Sequence, residues 1–238
     1  MAIKFRLDPF PKLTRLLLNS LLNARILVFA IVVAKITVDR LYRYSVIINP
    51  FAYDAQGQAT LDILEYQQPA TANDVYYALN SYGVKGRQAY LSYLFNDVLF
   101  IMARTVPVVV ICSWAYQKAP ESWRPGVWLP LLNMVTDLLE SGLLFALIKL
   151  FPQRVESLEW AAVYVIQLKW ITFKGTITLM FISMLVGVYY AFHSLLADSV
   201  LMEKDRQKKL QARDQIQEVL RKAAARREAS SSVNKKNA

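Results

Sequence analysis

The chain has 238 residues, of which 55% are hydrophobic, and its formal net charge is +10. This apolar composition, with long runs that contain few polar residues, excludes an ordinary soluble domain. The single cysteine excludes an intrachain disulfide, and one cysteine with one histidine cannot build a zinc site, so we expect no metal and no cofactor.

The first twenty residues precede the first long apolar run. Pro9 and Pro11 delay helix formation, and from Lys12 onward leucines recur at helical spacing among basic and polar residues. We expect residues 1–20 to be a cytosolic amphipathic lead-in. It either lies on the membrane surface against anionic lipid or forms the first turns of a longer helix.

Four segments are long enough to cross a membrane, which requires about 20 mostly apolar residues. They predict spanning helices over residues 21–44, 88–116, 127–151 and 160–193. The connections are predicted to be a loop with short helices over 45–87, a turn over 117–126 and a turn over 152–159. Residues 194–238, rich in Lys, Arg, Glu, Gln and Ala, predict a basic helical tail.

Positive charge is concentrated at both ends of the chain. Residues 1–23 carry four Lys or Arg against one acid, and the segment from Asp198 carries eleven against six. Because cytoplasmic segments are enriched in Lys and Arg, both termini and the 117–126 turn are predicted to be cytosolic, and the other two connections lumenal. The predicted fold is therefore an all-α, integral membrane four-helix bundle with cytosolic termini and a C-terminal basic helix.

The chain ends in Lys235-Lys236-Asn237-Ala238. Lysines at the third and fourth positions from a cytosolic C-terminus resemble the dilysine retrieval signal of endoplasmic reticulum membrane proteins, which is an address read by a receptor. We therefore expect Lys235 and Lys236 to place the protein in the endoplasmic reticulum membrane.

Each of the last three predicted spans carries ionisable residues at membrane depth. They are Asp97 and Arg104, Asp137 and Glu140, and Lys169 and Lys174. Such residues cost at least ~2.5–3.5 kcal/mol each in a spanning helix, so they usually face the bundle interior and pair. With a rise of about 1.5 Å per residue, the three acids fall near the level of Lys169. The sequence thus predicts an intramembrane polar seam in which three acids face three bases.

Three roles are open for this seam: a structural polar core, a conduction or proton-relay path, or acid–base catalysis. Asp137 and Glu140 are three residues apart and share a helix face, so they require either a cation between them or a proton on one of them. The only histidine, His193, lies near the cytosolic end of its span, and no phosphate-binding loop is present. No residue is therefore predicted to be catalytic.

Seven residues, from the entry to the second span through the third span, follow a fixed order: Gly83, Gly86, Arg87, Tyr90, Asp97, Asp137 and Glu140. This G-x-x-G-R-x-x-Y … D … D-x-x-E order resembles a group of uncharacterised small four-helix integral membrane proteins. The resemblance covers residues 83–152, and Ser141 stands where that pattern usually has Asn. It implies a four-helix fold with a functional seam and supplies no activity.

Arg87 falls at the predicted lumenal interface, with Tyr90 one turn further along. Arg87 is predicted to bind the phosphate of a lipid headgroup with Tyr90 nearby, or to pair with Asp39. A helix boundary without a binding role is the other interpretation.

The expected function follows from these features. We expect a non-enzymatic multi-pass endoplasmic reticulum membrane protein, an accessory or scaffold subunit of a larger lipid-handling or lipid-transport complex. Its partners are membrane lipids and other membrane protein subunits; nucleic acid is not expected, because the basic charge is tied to a membrane anchor. The alternative is a carboxylate-based lipid-modifying enzyme or a small transporter that uses Asp97, Asp137, Glu140 and Arg87.

Overall fold

The computed structural model describes residues 7–51, 53, 57–58, 60–117 and 119–236, with side chains described up to Arg213. Within these residues the chain is helical and contains no β-strand. The helices are α1 (Pro11–Leu21), α2 (Ala24–Ile48), α3 (Leu64–Gln67), α4 (Ala72–Ser81), α5 (Gly83–Trp114), α6 (Trp128–Leu150) and α7 (Glu156–Lys236), with a 3-10 turn at Glu121–Trp123. The prediction of an all-helical chain with several long apolar helices is confirmed.

The chain divides into two compact units, Met1–Gly187 and Val188–Ala238. The first contains α1 to α6 and α7 as far as Gly187. The second contains the rest of α7, whose described side chains are mostly exposed. Lys235 and Lys236, the predicted retrieval signal, lie outside the residues whose side chains are described.

Three helical stretches of the described chain are long and apolar enough to cross a membrane: Gly83–Trp114, Glu121–Leu150 and Glu156–Arg213. The helices α1 and α2 are long and apolar enough to cross a membrane only when they are taken together, as a pair with an angle of 84° between them. The segment predicted as the first span, 21–44, is therefore divided. Asn23 begins α2 by accepting a hydrogen bond from the Arg25 N–H at 2.9 Å, which is the usual role of Asn at a helix N-terminus.

The helix α2 packs along α5. Its buried side chains recur at intervals of three, four or seven residues and form one stripe: Ala30, Thr37, Leu41, Ser45 and Ile48. At the far end of this stripe the backbones come close together, because a Cβ atom on Gly86 would lie 2.9 Å from the Ile48 carbonyl oxygen. Glycine at position 86 therefore permits the α2–α5 contact.

The connection between α2 and α5 folds back onto the helices. Ile63 and Leu64 are fully or almost fully buried, and so is Val75 of α4. The residue Gln68 has a positive φ of 51°, which ends α3 directly before Pro69. At the start of α4, Thr71 and Asp74 form a reciprocal capping box. From Ile63 to Ser81 this connection is thus a packed layer rather than an open loop.

At the other end of α5, the N-terminal segment packs on the connection to α6. The Leu7 N–H donates to the Ser122 carbonyl at 3.2 Å, and Arg15 lies 3.3 Å from Glu121. The positive φ of Gly126, 71°, brings its Cα against the Asp8 carboxylate with no space for a side chain. The helix α1 is thereby held against the end of α5.

Candidate functional site

The first ion pair of the predicted seam joins α5 to α6. The Arg104 guanidinium donates to Asp137 Oδ2, and the Asp137 side chain is only 4% exposed. The same guanidinium carbon lies 5.4 Å from the ring centre of Phe100 and 5.7 Å from that of Phe173 in α7, within the range of cation–π attraction. Arg104 therefore contacts three helices at once.

The second base, Lys169 of α7, is bound by two carboxylates. Its Nζ atom lies 2.5 Å from Glu140 Oε2 in α6 and 3.3 Å from Glu65 Oε2 in α3. All three side chains are buried, with at most 10% of each exposed. The backbone carbonyl of Glu65 also accepts a hydrogen bond from the Trp170 indole at 3.0 Å. Lys169 and its neighbour thus fix α3 against α7.

Asp97 lies beside these ion pairs and is oriented by the hydroxyl group of Ser141. Ser141 Oγ lies 3.1 Å from Asp97 Oδ2 and 3.1 Å from the backbone oxygen of Asp137. The group formed by Glu65, Asp97, Arg104, Asp137, Glu140 and Lys169 is called the polar cluster below. It brings together five of the six residues predicted for the seam.

The polar cluster continues as hydroxyl contacts between α6 and α7. Thr136 Oγ1 and Thr172 Oγ1 are 3.1 Å apart, and the Asn133 amide donates to the same Thr172 oxygen at 3.3 Å. Small polar side chains of this kind join helices in membranes, where water offers no competing hydrogen bonds. They fix the register of α6 against α7 next to the ion pairs.

Lys174, the sixth predicted seam residue, is exposed and lies away from the polar cluster. The physical reason is helix geometry: five residues at about 100° per residue separate Lys169 and Lys174 by about 140° around α7. The predicted balance of three acids and three bases is therefore wrong, because Lys174 is not part of the cluster.

Glu65, which sequence reasoning missed, enters the polar cluster from the connection between α2 and α5. The signal for it was a carboxylate directly after the apolar pair Ile63-Leu64.

Charge in the polar cluster is unbalanced. Its described members are four carboxylates and two bases, so full ionisation would leave a net charge of −2. Oε1 of Glu65 and Oε1 of Glu140 are buried and accept no hydrogen bond from the described residues. Because a buried uncompensated charge is costly, this excess of acids disfavours full ionisation of all four carboxylates.

Arg87 and Tyr90, predicted as a headgroup-binding pair, have separate surroundings. The Arg87 guanidinium donates to the Leu79 carbonyl at 2.9 Å and lies 3.9 Å from the ring centre of Phe151. Tyr90 is fully buried, with its ring edge-on to Tyr82 and to Tyr93. Arg87 therefore joins α5 to α4 and to the end of α6, while Tyr90 belongs to the core and does not reach a surface.

A cavity of about 80 Å³ adjoins the polar cluster. Four aromatic rings line it together with the charged side chains: Tyr66, Phe100, Trp170 and Phe173. This volume holds a few water molecules, whereas pockets for drug-sized ligands measure about 300–1,000 Å³. Across the described part of the chain, no three His, Cys, Asp or Glu side chains are arranged to hold a metal ion.

Comparison with known proteins adds no family. No family model, curated protein or solved structure matches the chain. The ion pairs and hydrogen bonds of the polar cluster and the cavity beside it are therefore the basis on which function is inferred.

Proposed function

We propose that the chain is a non-enzymatic multi-pass membrane protein of the endoplasmic reticulum, an accessory or scaffold subunit of a larger lipid-handling complex. The observation that carries this proposal is Lys169, which is bound at once by Glu140 and Glu65. A base bound by carboxylates from two other elements holds those elements in place. The polar cluster is accordingly a structural core that fixes the bundle.

Membrane embedding is supported by the exposed apolar faces of the long helices. Phe95 of α5, Phe145 of α6 and Ile171 of α7 are 70%, 49% and 66% exposed. Faces of this kind are stable only against lipid or another apolar surface. Counting the bent pair as one span gives four spans, an even number, as cytosolic placement of both basic termini requires.

A structural role for the polar cluster is supported by the pairing of both its bases with carboxylates. Each ionisable group costs at least ~2.5–3.5 kcal/mol at the centre of a spanning helix, and pairing offsets this cost. Arg104 and Lys169 both point at carboxylates of neighbouring elements. The adjoining cavity of about 80 Å³ leaves no room for a lipid headgroup between them.

The lipid-handling part of the proposal rests on α1. Its outer side exposes Phe10, Leu13 and Leu16 beside the basic residues Lys12 and Arg15. The bend of 84° after α1 turns it away from the direction of α2, so that the 25 residues of α2 make the crossing of the bent pair and α1 lies at its cytosolic end as an interfacial helix. Such a helix attracts anionic lipid to the cytosolic side of the protein.

Purification of the full chain from its own membranes in mild detergent tests the proposal. We expect a second membrane protein to co-purify at fixed stoichiometry through two chromatographic steps. A monodisperse chain without such a protein would contradict the subunit role. Placement in the endoplasmic reticulum is tested separately with Lys235→Ser/Lys236→Ser, which should redistribute the protein to later compartments.

The excess of carboxylates favours a second candidate, a small transporter that carries protons or a small cation through the polar cluster. Its test is the double variant Asp137→Asn/Glu140→Gln, reconstituted in vesicles that contain a pH-sensitive dye. Lost flux with unchanged abundance and assembly would support transport. Lost abundance, without any flux in the original protein, would support the structural core.

A further inference from the structure

One face of α2 points away from the rest of the described bundle. It is called the outward face of α2 and consists of Val28, Phe29, Val32, Lys35, Ile36 and Asp39. Lys35 lies two positions before the buried residue Thr37, and Asp39 lies two positions after it. At about 100° per residue, each of them is turned about 200° around the helix from Thr37 and so lies on the opposite side of α2. Lys35 donates to Asp39 Oδ1 at 2.9 Å, and their side chains are 73% and 53% exposed.

The level of this ion pair follows from the contact between Ile48 and Gly86. Lys35 precedes Ile48 by thirteen residues, roughly 20 Å along α2, and Asp39 precedes it by nine, roughly 14 Å. Asp97 follows Gly86 by eleven residues, roughly 17 Å along α5. The exposed pair therefore lies at the level of the polar cluster, in the middle of the bundle.

Lipid alone is a poor cover for this pair. Arg40 and Arg43 are also exposed, but they lie eight and five residues from Ile48 and can extend toward the headgroups. Lys35 lies near the middle of α2, too far from either end to do so. Charged groups at this depth are found against protein or water rather than against hydrocarbon chains.

The charge on the exposed side of α2 as a whole indicates which protein group covers the outward face. The exposed bases of this helix, Arg25, Lys35, Arg40 and Arg43, outnumber its one acid, Asp39, which leaves an excess of three positive charges. The Lys35 ammonium has three donors, and Asp39 takes one of them. A second copy of this chain, related by a two-fold axis along the membrane normal, would bring Lys35 toward Lys35 and Arg40 toward Arg40.

We propose that the outward face of α2 docks a transmembrane helix of another membrane protein, which places an Asp or Glu carboxylate against Lys35. The apolar neighbours Val28, Val32 and Ile36 supply the contact area. A shallow groove lined by Ala24, Arg25, Val28, Phe29 and Val32 accepts side chains of the docked helix. This inference rests on the proposed role as a complex subunit and names its partner surface.

The test uses the full chain in its own membranes, with a photo-cross-linking amino acid at Val32 and, as a control, at the exposed Phe181 of α7. We expect a protein adduct from position 32 whose cross-linked peptide is a spanning helix with Asp or Glu within one turn. Lys35→Met should reduce this adduct at least tenfold. Lys174→Met, the matched exposed lysine, should leave it unchanged. A charge swap should restore the adduct: Lys35→Glu in this chain, together with a lysine in place of the Asp or Glu of the docked helix.

Several results would overturn the inference: an adduct with lipid, an adduct with another copy of the chain, a partner helix without a carboxylate, or an adduct insensitive to Lys35→Met. Equal abundance of the variants excludes a folding defect as the cause. If a subunit co-purifies but cross-links elsewhere, only the assignment of the α2 face is wrong. If nothing co-purifies from the original membranes, the proposed function itself is wrong.

Discussion

Lys169 Nζ lies 2.5 Å from Glu140 Oε2, and this contact joins α7 to α6 at the same point where Glu65 joins both to α3. The two acids on Lys169 come from parts of the chain that are 75 positions apart, since 140 − 65 = 75. One buried ammonium group therefore determines the positions of three elements. Loss of its charge leaves two carboxylates without compensation.

Lys169→Met is expected to destabilise the protein strongly. Removing one partner of a buried ion pair costs about 3–5 kcal/mol, because the remaining charge stays buried. The free energy of unfolding, measured in mixed detergent micelles, checks this value. Lys174→Met is the matched control and should not lower this free energy, because Lys174 is exposed and its removal leaves no buried carboxylate without its base. Equal losses in the two variants would show that Lys169 is not paired as described.

Glu140→Gln is expected to cost more stability than Glu65→Gln. Glu140 lies 2.5 Å from Lys169 Nζ, whereas Glu65 lies 3.3 Å from it. Either change also removes one of the four carboxylates of the polar cluster, so the excess of acids over bases falls from two to one, which offsets part of the loss. The same unfolding measurement compares the two variants. A larger loss for Glu65→Gln would mean that α3 provides the principal counter-charge.

Gly86→Ala is expected to loosen the packing of α2 on α5. The added Cβ would lie 2.9 Å from the Ile48 carbonyl oxygen, and overpacking of this kind costs about 1–3 kcal/mol. Gly142→Ala in α6 is the control, because no atom lies within 4 Å of its Cβ position. There alanine should stabilise the helix by about 0.5–1 kcal/mol. Both effects are read from the free energy of unfolding, and a stabilised Gly86→Ala variant would contradict the close contact.

Protection of the α4 amides is expected to fall in acid. The Asp74 carboxylate accepts hydrogen bonds from the N–H groups of Thr71, at 2.8 Å, and Ala70, at 3.0 Å, and the bonds from Thr71 are the main reason that its pKa lies below the usual value. Its contribution is therefore complete above the unfolded pKa of about 3.9 and is lost as the pH falls through the lower folded value.

Hydrogen exchange at pH 6 and at pH 3 measures this change. In Asp74→Ala the α4 amides should be less protected relative to amides of α5 already at pH 6, and this relative protection should change little at pH 3. Amides in the middle of α5 serve as the internal reference, since they are remote from Asp74. If the ratio of α4 to α5 protection in the original protein were the same at pH 6 and pH 3, the Asp74 carboxylate would be excluded as a group that stabilises the start of α4.

The long helices could be predicted from the sequence because apolar runs of this length have few other stable conformations. The break between α1 and α2 was less apparent, since hydropathy continues through residues 21–23 and only the capping role of Asn23 marks the boundary. The tertiary surroundings of Arg87 were not predictable, because its contact with Phe151 joins segments far apart in sequence.

The level of the polar cluster along the helices could be predicted, but the side of each helix on which its residues lie could be predicted only in part. The rise per residue of an α-helix places Asp97, Asp137, Glu140 and Lys169 at one level, and these residues do meet. The same estimate says nothing about the angle around the helix, which separates Lys174 from them. Glu65 was missed because a residue in a connection has no fixed level until the connection packs.

The contact between Glu65 and Lys169 spans 104 positions of the chain. At a synthesis rate of about 5–20 residues per second, Glu65 is synthesised roughly 5–20 s before Lys169. During that interval the Glu65 carboxylate has no Lys169 ammonium group to bind. The contact between α3 and α7 therefore forms only after the last long helix has begun, and a chain arrested before Lys169 would expose a carboxylate that the finished protein conceals.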